Sequence, residues 1–320
     1  MVSAKDRYGE LCRQHYIPLF MQGWWYDCVC GPEHWGVALA FDENDRPTGA
    51  MPYHIHRKWG LTILRMPELT PFNGAWINYP PNIKQHTRYS WERKVLEQLI
   101  AQLPPFDYFG QNFYFGFPGW LPFFWAGFQE TTHYSYTLNL ESGPETLWRN
   151  LKGNARRNIM KAERQLAIST EPDAALFYQA NRKTFERQGL PMPHSFEVFR
   201  KLDTELRGRG QGRMYFARDA TGKVHAAVYI VWDEHMADVL LTGSDPRLRK
   251  SAAIYLLYWQ AIRDMAALGV RCFDFEGGML PNVENVYAGF GATRQPIHIV
   301  YKARNRWLAL LSLLTNRPYR

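Results

Sequence analysis

The sequence predicts an α/β protein of the α+β type, with mixed, mostly antiparallel sheets flanked by helices. The chain has 320 residues, more than one hydrophobic core usually holds. Hydrophobic residues make up 46% and aromatic residues 15%, enough for two buried cores. Both halves also contain an apolar strand, a polar turn and an apolar strand, in VALAFDENDRPTGAMPYHI and MYFARDATGKVHAAVYIVW. We therefore expect two related domains, over residues 1–140 and 141–320.

The first half is rich in aromatic residues, Pro and Gly, which predicts short strands separated by turns. Apolar periodicity and the position of Pro104 set the limits of its elements. The predicted elements are the strands Trp35–Asp42, Ala50–His56 and Phe106–Phe109 and the helix Ser90–Leu103.

The second half predicts three strands, a helix, a strand, a short helix and a last strand. Their ranges are Met214–Asp219, Val224–Trp232, Met236–Thr242, Ala252–Leu268, residues 270–278, Val283–Ala288 and Ile297–Lys302. An apolar segment, Trp307–Leu314, follows between arginines and predicts a C-terminal helix. Such a helix docks on the protein or lies on an anionic membrane.

A basic segment, LKGNARRNIMKAERQLAIST, begins the second half at Leu151. Its apolar residues recur every three or four positions, which predicts a helix with one buried face. Arg156, Arg157 and Lys161 lie on other faces. Like charges so close together repel each other, so they indicate either a solvated face or an anion-binding surface.

Net charge, cysteine content and hydropathy narrow the class of protein. A net charge of +8 favours partners that carry phosphate or anionic lipid. Four scattered cysteines predict free thiols, and His54-x-His56 has no nearby ligand that would indicate a metal site. The N-terminus lacks the apolar core of a signal peptide, and no stretch reaches the length of a membrane span. These features predict a cytoplasmic protein, with peripheral contact at the inner face of the membrane as one option.

The order of elements in the second half resembles that of GNAT-type N-acyltransferases. More specifically, the basic Arg-Arg-Asn-x-x-x-Lys-Ala helix resembles the segment that opens the second domain of FemABX-like proteins. Three further segments follow in the same order: LLTGSDPRLRKSAAIYLLYWQAI, FDFEGGMLPNVENVYAGFGA and a last strand with Tyr301-Lys302. The resemblance covers residues 135–302 and implies tandem GNAT-like domains.

The resemblance implies an N-acyltransferase that needs no permanently bound cofactor. FemABX-like proteins transfer an acyl group, often an amino acid from aminoacyl-tRNA, to an amine, and characterised members build peptidoglycan cross-bridges. The expected donor is acyl-CoA or aminoacyl-tRNA, and the expected acceptor is an amine, with lipid- or nucleotide-linked cell-wall precursors as candidates. The alternative is a non-catalytic protein that uses a GNAT-like scaffold to recognise RNA or a nucleotide-linked ligand.

In the GNAT fold two central strands splay apart around the donor, and the loop before the next helix meets its pyrophosphate. The loop PRLRKSAA lacks the Arg-x-x-Gly-x-Gly/Ala pattern of coenzyme A-dependent members, so the donor stays open. The resemblance implies that substrate or donor contacts come from the basic helix, the loop and the segment after the next strand. The residues at those positions are Arg156, Arg157, Lys161, Ser244, Arg249, Ser251, Gly277, Gly278 and Tyr287.

Three residues are candidates for catalysis. Asp274 and Glu276 alternate with phenylalanines, so on a strand both acids share one face, where either could accept a proton from the amine. The alternative is that they organise the Gly277-Gly278 turn. Lys302 follows the last strand, where family members can place a cation near the developing oxyanion; the alternative is a surface lysine.

Overall fold

The computed structural model describes residues 2–117 and 119–304. They form two compact units: unit 1 is Met1–His133 with Pro296–Arg320, and unit 2 is Tyr134–Gln295. The expected division at 140/141 differs from this one mainly at the end of the chain, where the last described strand returns to unit 1. The predicted helix Trp307–Leu314 lies outside the described residues.

Ten helices and twelve strands are found in these ranges. The helices are α1 Ala4–Gln14, α2 Gly23–Val29, α3 Gln85–Ala101, α4 Leu121–Trp125, α5 Pro144–Asn150, α6 Gly153–Glu163, α7 Ala174–Gln188, α8 Phe196–Gly208, α9 Ala253–Ala267 and α10 Pro281–Gly289. The strands are β1 Trp35–Phe41, β2 Pro47–Lys58, β3 Leu61–Arg65, β4 Trp76–Ile77, β5 Tyr108–Phe113, β6 Gln129–Asn139, β7 Ala167–Ser169, β8 Gly212–Arg218, β9 Val224–Trp232, β10 Met236–Ser244, β11 Cys272–Asp274 and β12 Thr293–Ala303.

Unit 1 is built on a sheet with the strand order β1-β2-β3-β5-β12, and β4 pairs with β2. All of these pairs are antiparallel except β3–β5. The core packs Val95, Leu96 and Leu99 of α3 against the sheet, together with phenylalanines from β5 and α4. The aromatic richness of the first half therefore serves mainly to fill this core.

Unit 2 has the strand order β6-β11-β10-β9-β8-β7. Its core contains the apolar faces of α6 and α9. The residues Leu151, Ala155, Ile159, Ala162 and Leu166 are all buried, which confirms the predicted apolar face of the basic helix. Like charges are tolerated on α6 because its other faces lie at the surface.

Strands β10 and β11 run parallel but pair only over Met236–Asp238 and Cys272–Asp274. Beyond Asp238 the edge of β10 bonds to α7 instead. Asn181 donates a hydrogen bond to the Thr242 carbonyl at 2.6 Å, and the Ser244 amide donates to the Thr184 hydroxyl at 3.3 Å. The two strands thus separate just after Asp238 and Asp274, which places these carboxyls at the divergence.

The predicted fold class is confirmed, since the strands of each unit pair mostly antiparallel and are flanked by helices. One element differs in a way that matters for function. The strand predicted over residues 270–278 ends at Asp274, because Glu276 adopts a left-handed backbone conformation with φ 58°. Asp274 and Glu276 therefore do not share a strand face. The prediction from their alternation was wrong on this point.

Candidate functional site

Three carboxyl groups meet where β10 and β11 diverge in unit 2. Asp238 comes from β10, Asp274 ends β11, and Glu276 follows two residues later. One carboxyl oxygen from each lies within 4.8 Å of the others. Asp274 is fully buried and Asp238 is 2% exposed, whereas Glu276 is only half-buried. We call these three residues the carboxyl cluster.

Two hydrogen bonds anchor the cluster through Asp274. Its Oδ1 accepts from the Ser135 hydroxyl of β6 and from the Glu276 amide, the latter at 2.8 Å. Three carboxyl oxygens are buried with no hydrogen-bond partner, one on each of Asp238, Asp274 and Glu276. Because unpaired buried carboxylates are very costly, this arrangement requires protons or a cation at neutral pH.

Burial and mutual repulsion favour the protonated forms. Burial raises the pKa of Asp238 and of Glu276 well above the usual range, and the neighbouring carboxylates raise both further. Burial also raises the pKa of Asp274, but only to about 6, because the Ser135 hydroxyl and the Glu276 amide stabilise its charged form. Asp274 is therefore the member that carries the negative charge most readily, and Glu276 holds a proton.

The backbone after β11 is specialised to present Glu276. A non-glycine residue at φ 58° is strained, and the Glu276 amide bond to Asp274 helps to hold it there. Gly277 and Gly278 follow with φ values of 77° and 150°. A Cβ on Gly278 would lie 2.4 Å from the Tyr136 ring, so a glycine is needed for the chain to pass this ring.

The basic segment and the predicted loop meet at the other end of β10. Lys161 of α6 donates a hydrogen bond at 2.6 Å to the Lys250 carbonyl in the 3-10 helix Pro246–Ser251. Arg157 lies one turn before Lys161 on α6, and both it and Arg249 are exposed. The first turn of α9 follows directly and has no side-chain cap. We call Arg157, Lys161, Arg249 and Lys250 the basic cluster.

The remaining predicted binding residues have structural contacts. The Ser251 hydroxyl is tied to the Leu248 carbonyl at 2.7 Å, and the Ser244 amide bonds to α7. Tyr287 is buried, and its ring stacks on Phe275 with centroids 4.7 Å apart. Arg156 is half-buried on α6. The structure thus brings Lys161 and Arg249 to one surface, and joins the carboxyls of Asp274 and Glu276 in a largely buried cluster.

Lys302 belongs to unit 1, on β12. Its ammonium donates to the Ala126 carbonyl at 2.7 Å and lies 5.0 Å from the centre of the Phe128 ring. These contacts give Lys302 a structural partner within its own unit. Its role at an oxyanion stays a prediction.

Sequence reasoning missed Asp238 and Ser135. Asp238 is the single charge in the apolar strand MADVLLT, and a charge at a buried strand position was the available signal. Ser135 gave no signal, because its partner Asp274 is 139 residues away. Metal binding was judged from His and Cys spacing alone, whereas the carboxyl cluster is the group in residues 2–117 and 119–304 whose oxygens could hold a metal ion.

Comparison with known proteins identifies the family of one domain and the fold of the chain. Residues 149–282 match the profile of the acetyltransferase (GNAT) domain family. Among solved structures, FemX superposes with a TM-score of 0.67 at 10% identity, over 97% of this chain and 98% of that chain. No curated protein sequence is significantly similar to this chain.

Two other solved structures share this fold, and one of them is described as a tandem GNAT protein. The C-terminal domain of a putative lysylphosphatidylglycerol synthetase from Agrobacterium fabrum has a TM-score of 0.51 at 13% identity, over 86% of each chain. A tandem GNAT protein from the clavulanic acid biosynthesis pathway has a TM-score of 0.50 at 14% identity, over 84% of this chain and 82% of that chain. The resemblance predicted from the sequence is thus confirmed: residues 149–282 form a GNAT domain, and the chain has the tandem, FemX-like GNAT fold.

Proposed function

We propose that this protein is an N-acyltransferase that moves an acyl or aminoacyl group from a phosphate-bearing donor to an amine. The observation that carries the proposal is the arrangement along β10. The carboxyl cluster lies at one end of this strand, where β11 diverges, and the basic cluster lies just beyond the other end. Ser244 comes six positions after Asp238, roughly 20 Å of extended chain.

The basic cluster suits the anionic part of the donor. Arginine offers a planar fork to phosphate oxygens, and the uncapped start of α9 adds backbone N–H groups and the positive end of the helix dipole. Acyl-CoA and aminoacyl-tRNA both carry phosphate, so both remain candidate donors. The acceptor is an amine, and cell-wall precursors are candidates that we infer from the FemX-like fold.

The carboxyl cluster suits the proton transfer that the reaction needs. The amine nitrogen attacks the donor carbonyl carbon, a C–N bond forms, and the bond from this carbon to the donor's sulfur or oxygen breaks. The amine loses one proton to Glu276 as the proton of Glu276 passes to the Asp274 carboxylate, and the cluster then returns one proton to the departing thiolate or alkoxide. Glu276 is the most exposed member, so we assign it the contact with the amine, and Asp274 the negative charge that drives uptake of the proton.

Donor binding is tested by thermal-shift titration with coenzyme A, charged tRNA and inorganic pyrophosphate, at low and moderate salt. Ligands that bind the folded state raise the melting temperature. We expect at least one phosphate-bearing donor to do so, and Arg157→Ala to abolish most of the shift. Arg200→Ala, which removes an exposed arginine from α8, is the matched control.

The outcomes separate the donors. A shift by coenzyme A that persists in added salt indicates an acyl-CoA enzyme. A shift only by charged tRNA, with a steep loss in salt, indicates aminoacyl transfer, because several phosphates would then be neutralised together. If no donor shifts the melt, or if Arg157→Ala and Arg200→Ala behave alike, the basic cluster is not the donor site.

A further inference from the structure

The short helix α4 in unit 1 turns three large apolar side chains towards solvent. Leu121, Phe124 and Trp125 are each 56% exposed, whereas Phe123 between them is fully buried. The spacing of the exposed residues puts them on one face of the helix. Phe123 fixes the opposite face to the core, with its ring 5.1 Å from that of Phe113. Contiguous exposed apolar side chains of this size mark a contact surface.

This apolar face continues onto α3. The Arg93 guanidinium lies 5.1 Å from the centre of the Trp125 ring, and Tyr89, one turn earlier on α3, is 61% exposed. We call Tyr89, Leu121, Phe124 and Trp125 the aromatic face. These four account for most of the large apolar side chains that are more than half exposed in residues 2–117 and 119–304.

Positive charge borders the aromatic face where β12 ends. Lys302 donates its hydrogen bond to the Ala126 carbonyl, immediately after α4, and Arg304 follows two residues later with a side chain 76% exposed. The sequence from 296 to 320 contains five basic residues and no acidic one. Lys302 therefore places positive charge beside the aromatic face, and the sequence after Arg304 contains three more arginines.

Another exposed aromatic residue, Trp59, lies near the start of β3, and Asp107 links β3 to Arg304 at the end of β12. The Asp107 carboxylate pairs with Arg304 at 3.3 Å and accepts from the Thr62 amide of β3 at 2.9 Å. Three residues before Thr62, Trp59 lies at the turn between β2 and β3 and is 86% exposed, with the Lys58 ammonium 4.5 Å from its ring centre. An exposed Trp next to a cation thus lies in the turn that leads into β3, the strand that bonds to the ion-pair partner of Arg304.

We propose that unit 1 docks on the surface of an anionic phospholipid bilayer through Trp59 and the aromatic face. Trp and Tyr favour the boundary between headgroups and acyl chains, and Lys and Arg at its rim are attracted to anionic lipid. A bilayer fits better than a protein partner because large rings and flanking cations recur here on both a helix and a hairpin. No helix in the described ranges is long and apolar enough to cross a membrane. This inference does not depend on the proposed acyl transfer.

The test is co-sedimentation of the full chain with vesicles of phosphatidylcholine alone and of phosphatidylcholine mixed in equal parts with phosphatidylglycerol. We expect binding to the anionic vesicles that weakens with salt. Trp125→Ser and Trp59→Ser should each lower the fraction of protein bound. The double variant Phe124→Ser/Trp125→Ser should lower this fraction roughly tenfold. Leu268→Ser is the matched control, because Leu268 is 53% exposed but lies in unit 2. The Leu268→Ser variant should bind the anionic vesicles as the wild type does.

Three results would overturn the proposal. One is the absence of binding to anionic vesicles. Another is binding that survives all the aromatic-face substitutions and is lost in Leu310→Ser/Leu311→Ser, since the C-terminal segment alone would then dock. The third is a concentration-dependent dimer in light scattering that Trp125→Ser dissolves while vesicle binding stays unchanged. The melting temperature of each variant shows whether it is folded. We expect it to equal that of the wild type, because the substituted side chains lie at the surface.

Discussion

At the scale of single residues, Asp274 shows how burial and hydrogen bonding set the charge of the candidate site. Its folded-state pKa of about 6 lies above its usual 3.8, because burial outweighs the hydrogen bond from Ser135. The folded state therefore binds a proton more tightly than the unfolded state does. The Asp274 carboxyl makes its full contribution to the free energy of unfolding below about pH 4. This contribution, about 3 kcal/mol, is lost as the pH rises through about 6.

Asp274→Asn should therefore stabilise the protein at neutral pH while it abolishes amine-dependent transfer. The Oδ1 of the substituted asparagine can still accept from Ser135 and from the Glu276 amide, so the anchoring bonds remain. The gain in the free energy of unfolding over wild type should grow from about pH 4 to about pH 7. Urea denaturation at several pH values measures it. A gain that does not depend on pH would contradict the assigned titration.

Glu276 allows backbone strain to be separated from chemistry. Glu276→Gln imitates the protonated carboxyl and keeps the strain at φ 58°, whereas Glu276→Gly removes both. We expect Glu276→Gly to be more stable than Glu276→Gln by about 1 kcal/mol. Both should lose most of the transfer activity, because neither can carry a proton from the amine. Full activity in Glu276→Gln would remove Glu276 from the mechanism.

The carboxyl cluster also makes a prediction about metal ions. Its buried oxygens could be neutralised by protons or by a divalent cation. The proposed transfer uses protons, so removal of metals with EDTA should leave activity and melting temperature unchanged. A fall in either that Ca²⁺, Mg²⁺ or Mn²⁺ restores would show that the cluster is a metal site instead.

At the scale of elements, the close contact between α7 and β10 positions the diverging strand. A Cβ on Gly243 would lie 2.4 Å from the Ala180 carbonyl carbon. Because the obstruction is helix backbone, it cannot move aside as the end of a flexible side chain would. The absence of a side chain at Gly243 thus lets Asn181 reach the Thr242 carbonyl.

Gly243→Ala should destabilise unit 2 by about 1–3 kcal/mol through overpacking. Gly208→Ala at the end of α8 is the control, since a Cβ there meets no atom within 4 Å and alanine favours a helix. Thermal denaturation of the two variants measures the difference. Equal melting temperatures would mean that α7 does not pack on β10 in this way.

At the scale of the whole molecule, local patterns predicted most elements but not the contacts that make the site. The periodicity of α6 and the apolar run of β9 predicted both elements well, because both signals are local. Alternation in VRCFDFEGG wrongly extended β11 beyond Asp274, because the left-handed backbone at Glu276 leaves no mark in the pattern of apolar residues. Asp238 and Ser135 reach Asp274 only through sheet pairing between segments far apart in the chain.

The predicted pairing of Glu276 with Asp274 was reached for the wrong geometric reason. The two carboxyls do meet, but through a left-handed turn rather than a shared strand face. The family resemblance predicted the tandem fold correctly because the order of elements survives when identity falls to 10%. Residue roles do not follow from the fold, so the basic and carboxyl clusters need direct tests.

The most direct test of the central claim is a transfer assay with both candidate donors. Acetyl-CoA and charged tRNA are each incubated with the protein and a mixture of amines, and loss of the thioester or ester is followed. We predict that one donor is consumed only in the presence of amine, that Asp274→Asn abolishes this consumption, and that Arg157→Ala raises the donor concentration needed for half-maximal rate. Amine-dependent consumption that persists undiminished in Asp274→Asn, or no consumption of either donor, would contradict the account.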